Sequence, residues 1–143
     1  MTPGHTTQAE VFVRNLSTNV TTQVSPLDSN TASSEIFSGS TRARISGDGT
    51  KVAFQTLGNI DPDDTVLFSV DTYVVNANGT GTPVWVNRSS AGLPGNGTST
   101  MDGIGFDGSR VVFDSTSTNL VPADTDPGTA RKAITVHTPS RFI

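Results

Sequence analysis

Apolar residues in this chain come in short runs, Val11-Phe12-Val13, Val52-Ala53-Phe54, Tyr73-Val74-Val75, Val84-Trp85-Val86 and Val111-Val112-Phe113, bounded by Gly, Asn, Asp or Ser. β-branched and aromatic residues suit a pleated, half-buried surface, so each run reads as a strand and the bounding residues as turns. Asp48-Gly49, Asn78-Gly79 and Asp107-Gly108 each sit between two runs and mark hairpins, whose turns need positive φ at their central positions. Strands are therefore expected near 43–46, 51–56, 71–76 and 83–87, joined into one antiparallel four-stranded unit with an Asp- and Pro-containing excursion at 57–66.

The unit repeats. Residues 43–56 (ARISGDGTKVAFQT) align without gaps to 102–115 (DGIGFDGSRVVFDS), matching Ile45 with Ile104, Asp48-Gly49 with Asp107-Gly108, Val52 with Val111 and Phe54 with Phe113. Downstream, NIDPDDT at 59–65 matches NLVPADT at 119–125, and EVFVRN at 10–15 recurs as DTYVVN at 71–76 and more weakly as KAITVH at 132–137. Three elements in one order at a spacing near 60 residues mean a repeated supersecondary unit. The Ser-, Gly- and Asn-rich stretches 26–42 and 88–101 read as crossings between units.

Composition narrows the picture. With 143 residues the chain fits one domain; hydrophobic residues are 33% and charged ones 15%, while Ser and Thr make up roughly a quarter. The formal charge of −4 is too small for a charge-driven disordered chain, and nine scattered Lys and Arg form no basic stripe, which argues against a nucleic-acid partner. Absence of cysteine removes disulfides and thiolate metal sites, and no apolar run approaches the length of a membrane span. Asn-x-Ser/Thr triplets at Asn15, Asn19, Asn78, Asn87 and Asn96 are expected from the composition alone.

Two segments carry a resemblance to a known family. Ser46-Gly47-Asp48-Gly49-Thr50-Lys51-Val52-Ala53-Phe54 and Val11-Phe12-Val13-Arg14-Asn15 resemble the repeat core and the following strand of TolB-like, WD40-like (PD40-type) β-propellers, and 119–125 looks like a loop of large exported bacterial members. The resemblance implies an all-β fold of antiparallel four-stranded β-propeller blades, about two and a quarter of them: a partial blade at 10–25, a full blade at 43–87 and a partial blade at 103–137. Residues 1–9 are then a flexible arm and 138–143 a tail. Closed propellers use about four to eight blades, so the chain is either an excerpt of a longer protein or a unit whose copies join edge to edge. A β-sandwich reusing the same hairpins is the third possibility, against which the period argues. Localisation outside the cytoplasm, extracellular or periplasmic, follows from the resemblance alone.

Candidate chemistry is sparse. Asp61, Asp63 and Asp64 in one inter-strand loop, with Asp124 and Asp126 in the equivalent loop, offer alternating oxygen ligands of the kind calcium takes, although no acidic residue closes an EF-hand at the twelfth position after Asp124. The competing reading makes these residues turn formers whose carboxylates bond their own backbone. Asp48 and Asp107 read as turn residues, not as an acid/base pair; His5 and His137 form no metal or triad spacing, and no Gly-x-Ser-x-Gly occurs. Trp85, Tyr73, Phe12, Phe54 and Phe113 are expected to pack between units, and Leu67 and Phe68 to form a lid or contact edge. The expected function is a non-enzymatic binding or structural module, with a protein partner or further copies of itself. The alternatives are an accessory propeller domain of an exported hydrolase and a calcium-dependent adhesion or surface module.

Overall fold

The computed structural model describes residues 9–26, 40–66, 69–122 and 132–137, with backbone alone at 40 and 132–137. The fold is all-β: the described residues hold nine strands and no helix, arranged in three antiparallel sheets. The first pairs β1 (Phe12–Asn15) with β2 (Val20–Gln23); the second runs β3 (Ser40–Ile45), β4 (Lys51–Thr56), β5 (Asp71–Asn76), β6 (Val84–Trp85) in chain order. The third runs β7 (Ser99–Ile104), β8 (Arg110–Ser115), β9 (Lys132–His137). Expected pairings hold, Ile45 opposite Val52, Ile104 opposite Val111 and Tyr73 opposite Trp85. The repeat extends to irregularities, since β3 slips register between Thr41 and Arg44 and β7 slips at the matching place, between Met101 and Gly103.

The hairpin tips differ from a two-residue turn. The Ser46 N–H donates to the Lys51 carbonyl at 2.8 Å and the Gly49 N–H to the Ser46 carbonyl at 2.9 Å, closing a four-residue loop in which only the glycine takes positive φ, 73°. Gly108 repeats this at 71°. A loop of this length is built on an ordinary turn, with the left-handed residue absorbed by glycine at no steric cost.

The core lies between sheets. Val11 and Val24 of the first sheet pack with Val52, Phe54, Tyr73, Val75 and Trp85; on the opposite face Ala53, Val74 and Val86 pack with Met101, Val111, Phe113 and Leu120. Sheets on both faces leave β4 and β5 buried along almost their whole length, whereas β8, which carries the equivalent apolar run to β4, alternates in burial. Phe54, Tyr73 and Phe113 are wholly buried, each worth about 2–3 kcal/mol in transfer alone. The second and third sheets also interlock through polar contacts: the Asp48 N–H donates to the Phe106 carbonyl at 2.9 Å and Gln55 Nε2 to the Ser99 carbonyl at 3.0 Å. Gly47 is bare because a Cβ there would lie 2.3 Å from the Phe106 ring.

One aromatic departs from expectation. Phe12 is 58% exposed, whereas its repeat equivalent Tyr73 is wholly buried, because among the described residues no sheet stands on the outer side of β1.

Candidate functional site: a buried polar knot and an open edge

At the base of the second sheet a polar knot closes β5 against β6. Asp71 opens β5, and its Oδ1 accepts from Asn87 Nδ2 at 2.5 Å and from Trp85 Nε1 at 3.2 Å, while Oδ2 accepts from the Ser69 hydroxyl at 2.7 Å. Asn87 Oδ1 in turn accepts from Trp85 Nε1 at 2.9 Å and from the Thr72 N–H at 2.9 Å. Asp71 and Asn87 are both buried, so these bonds form away from water, where a satisfied network rigidifies the structure and an unmet donor is costly. Above the knot, Phe54, Tyr73 and Trp85 stack with centroids 6.1 and 6.0 Å apart, and the Arg88 guanidinium covers the Trp85 ring at 4.7 Å.

The acidic loop at 57–66 folds onto this knot. Asp61 makes the turn itself, its carboxylate accepting from the Asp63 N–H at 2.9 Å and its carbonyl from the Asp64 N–H at 2.9 Å. Arg88 Nη2 lies 3.2 Å from Asp61 Oδ1 and 3.2 Å from Asp63 Oδ2, so one guanidinium holds two carboxylates together. Asp64 turns inward instead. Burial, then the neighbouring charge of Asp71, pushes its pKa up to about 6, and its protonated form hydrogen-bonds Asp71. Beside them the wholly buried Tyr73 phenol finds no hydrogen-bond partner among the described residues; burial, then Asp64 and Asp71, raises its pKa far above the ordinary value.

Of the three described acidic candidates, Asp61 and Asp63 thus converge on Arg88 while Asp64 turns inward, and no group of three or more His, Cys, Asp or Glu among the described residues is arranged to hold a metal ion. Asp124, Asp126, Leu67, Phe68, His5 and the His137 side chain lie outside the described residues. Asp48 and Asp107 are turn residues: the Ser46 hydroxyl and then the Thr50 N–H and hydroxyl hold Asp48 below the usual carboxylate value, and the Ser109 N–H and hydroxyl do the same for Asp107. Asn87, the middle one of the triplet-bearing asparagines along the second half of the repeat, is wholly buried and so is closed to glycosylation.

The knot recurs in reduced form in the first sheet. There the Val11 N–H donates to the Ser25 hydroxyl at 3.0 Å, as Thr72 does to Asn87, and the Ser25 hydroxyl donates to the Glu10 carboxylate, as Asn87 does to Asp71. Sequence reasoning missed both knots. A signal exists, since a carboxylate opens both segments, EVFVRN and DTYVVN, but nothing local marks its partner fourteen or more residues later.

The remaining feature is the outer edge of β1. Val24 donates to the Val11 carbonyl, so Val11, Val13 and Asn15 turn their backbone groups to β2, and by alternation Phe12 and Arg14 turn theirs outward. Among the described residues that edge has no neighbour. Phe12, Leu16, Val20, Ile45 and Phe106 are exposed large apolar side chains, most of them at the same hairpin-tip end. Among the described residues no helix is long and apolar enough to cross a membrane.

Comparison with known proteins returns nothing: no family model, no curated protein and no solved structure matches the chain.

Proposed function

We propose that the chain is a non-enzymatic contact module of propeller type, which acts by joining further copies of itself or a protein partner through its sheet edges. The observation that carries this reading is the β1 edge, which has no neighbour among the described residues, with Phe12 58% exposed where its equivalent Tyr73 is wholly buried. Unpaired edges are templates for pairing, and native proteins cover or blunt those they do not use. The position of β1 carries neither proline nor a bulge.

Light scattering on a sizing column tests it. The expected result is a mass above the 14.9 kDa of one chain that resolves with concentration into a defined oligomer, and a return to monomer in Phe12→Asp. A wild-type chain that stays monomeric throughout overturns self-assembly.

A further inference from the structure

The two glycines at the hairpin tips occupy equivalent places in the repeat but have different surroundings. Gly108 is roofed by the aliphatic stem of Lys51, whose Cγ lies 2.3 Å from where a Cβ would stand, and Lys51 Nζ reaches Asn76 Oδ1 at 2.5 Å. A Cβ at Gly49 would meet nothing within 4 Å among the described residues. Gly49 opens instead into a groove of about 540 Å³ between the first hairpin and the second sheet, lined among others by Val13, Leu16, Val20, Ile45 and Ala77.

The repeat explains the difference. Lys51 belongs to β4, which pairs with β5 so that Lys51 faces Asn76 and Phe54 faces Tyr73. β1 is the equivalent of β5, with Asn15 in the place of Asn76 and Phe12 in the place of Tyr73, and among the described residues no strand stands in the place of β4. A strand laid there meets outward backbone groups at Phe12 and Arg14, an exposed aromatic ring, the groove over Gly49, and, at the register of Asn76, the Asn15 side chain, whose Oδ1 accepts from the Ser17 and Thr18 N–H groups at 2.9 and 3.1 Å. The Asp48 carboxylate, exposed and among the described residues bonded to Ser46 and Thr50, stands next to Gly49 and complements a basic side chain. Arg14 does not fill the role, because its guanidinium is turned onto Thr21 and Asn19 of its own hairpin.

We infer that the β1 edge receives a β-strand supplied in trans by another polypeptide, of the pattern basic–Val–x–Phe that β4 and β8 both carry, with the basic stem seated over Gly49 and the Phe facing Phe12. This rests on the contact-module reading above and names the occupant of that edge. Backbone bonds supply affinity in such strand addition, and alternate side chains supply selection.

The probe is a synthetic peptide of residues 47–56, the chain's own β4 segment, titrated into the ¹⁵N-labelled protein. The expected result is saturable shifts confined to the Phe12, Arg14, Asn15 and Gly49 amides and their neighbours. A Lys51→Glu peptide is expected to bind roughly tenfold more weakly, as loss and reversal of one contact charge implies. Arg14→Pro removes an outward donor without touching the β1–β2 ladder and abolishes the shifts. Should that variant unfold, N-methylation of the peptide at the amides facing β1 gives the same test on the wild-type protein. Unshifted Phe12 and Arg14 amides at millimolar peptide, or binding indifferent to Lys51→Glu and to N-methylation, overturns the inference. A chain that oligomerises yet ignores the peptide fails this inference alone; one that binds the peptide as a strict monomer fails only self-assembly.

Discussion

The knot at Asp71 and Asn87 and the knot at Glu10 and Ser25 are the same device at two places in one repeat. In each, a carboxylate stands at or just before the start of a strand, the next residue's N–H donates to a side chain beyond the following strand, and that side chain donates back to the carboxylate. They differ in what surrounds them. The second-sheet knot adds Trp85 Nε1 and Ser69, is buried, and carries the Phe54–Tyr73–Trp85 stack above it. The first-sheet knot has Gln23 at the place of Trp85, and Gln23 Nε2 merely donates to the Ser25 carbonyl at 3.1 Å. Position in the stack, not the repeat element itself, decides whether a strand is core or surface.

The comparison breaks hardest at Trp85. Trp85→Ala removes the end of the stack and two hydrogen bonds, and is expected to cost about 3–5 kcal/mol in urea unfolding, against under about 1 kcal/mol for Gln23→Ala at the equivalent ladder position of the first sheet. Asp71→Ala removes an acceptor shared by three buried donors, of which Trp85 Nε1 keeps Asn87 and the Ser69 hydroxyl keeps the Val66 carbonyl, and should cost about 3 kcal/mol, whereas Ser25→Ala should cost about 1 kcal/mol. A Ser25→Ala loss as large as that of Asp71→Ala would show the two knots to be equal partners.

A pH titration sharpens it next. Asp64 binds its proton more tightly folded, near pH 6, than unfolded, near 3.8, so its contribution is fully present below about pH 4 and is lost as pH rises through 6. The loss amounts to at most about 3 kcal/mol by the usual 1.36 kcal/mol per unit, and Asp64→Asn should flatten the profile over that window. The smallest expected effect is at Arg88, where Arg88→Ala frees the part-exposed Asp61 and Asp63 and should cost about 1 kcal/mol, with weak salt dependence from 0.05 to 0.5 M.

Much of the fold was legible. Strand positions, hairpin pairings and the period all follow from alternation and Asp-Gly or Asn-Gly turns, and the structure places β4 and β5 within their expected bounds. What escaped depends on partners distant in sequence. Phe12 and Tyr73 look alike in their segments, and only the presence of a sheet on the outer side separates a surface ring from a buried one. Asp61, Asp63 and Asp64 look alike in composition, yet Arg88, twenty-four or more residues on, draws two of them outward while Asp71 meets the third. Asp71 and Asn87 look like ordinary polar strand ends until Trp85 brings them together.

Amide hydrogen exchange on the monomeric chain distinguishes a free edge from a covered one, because Phe12 and Arg14 of β1 stand where Tyr73 and Val75 of β5 stand. The account predicts that the Tyr73 and Val75 amides, bonded to β4, exchange only through global unfolding, while those of Phe12 and Arg14 exchange fast and slow markedly when a strand is added in trans. Equal protection of all four amides in the free chain would mean that the edge of β1 is already filled, and would contradict it.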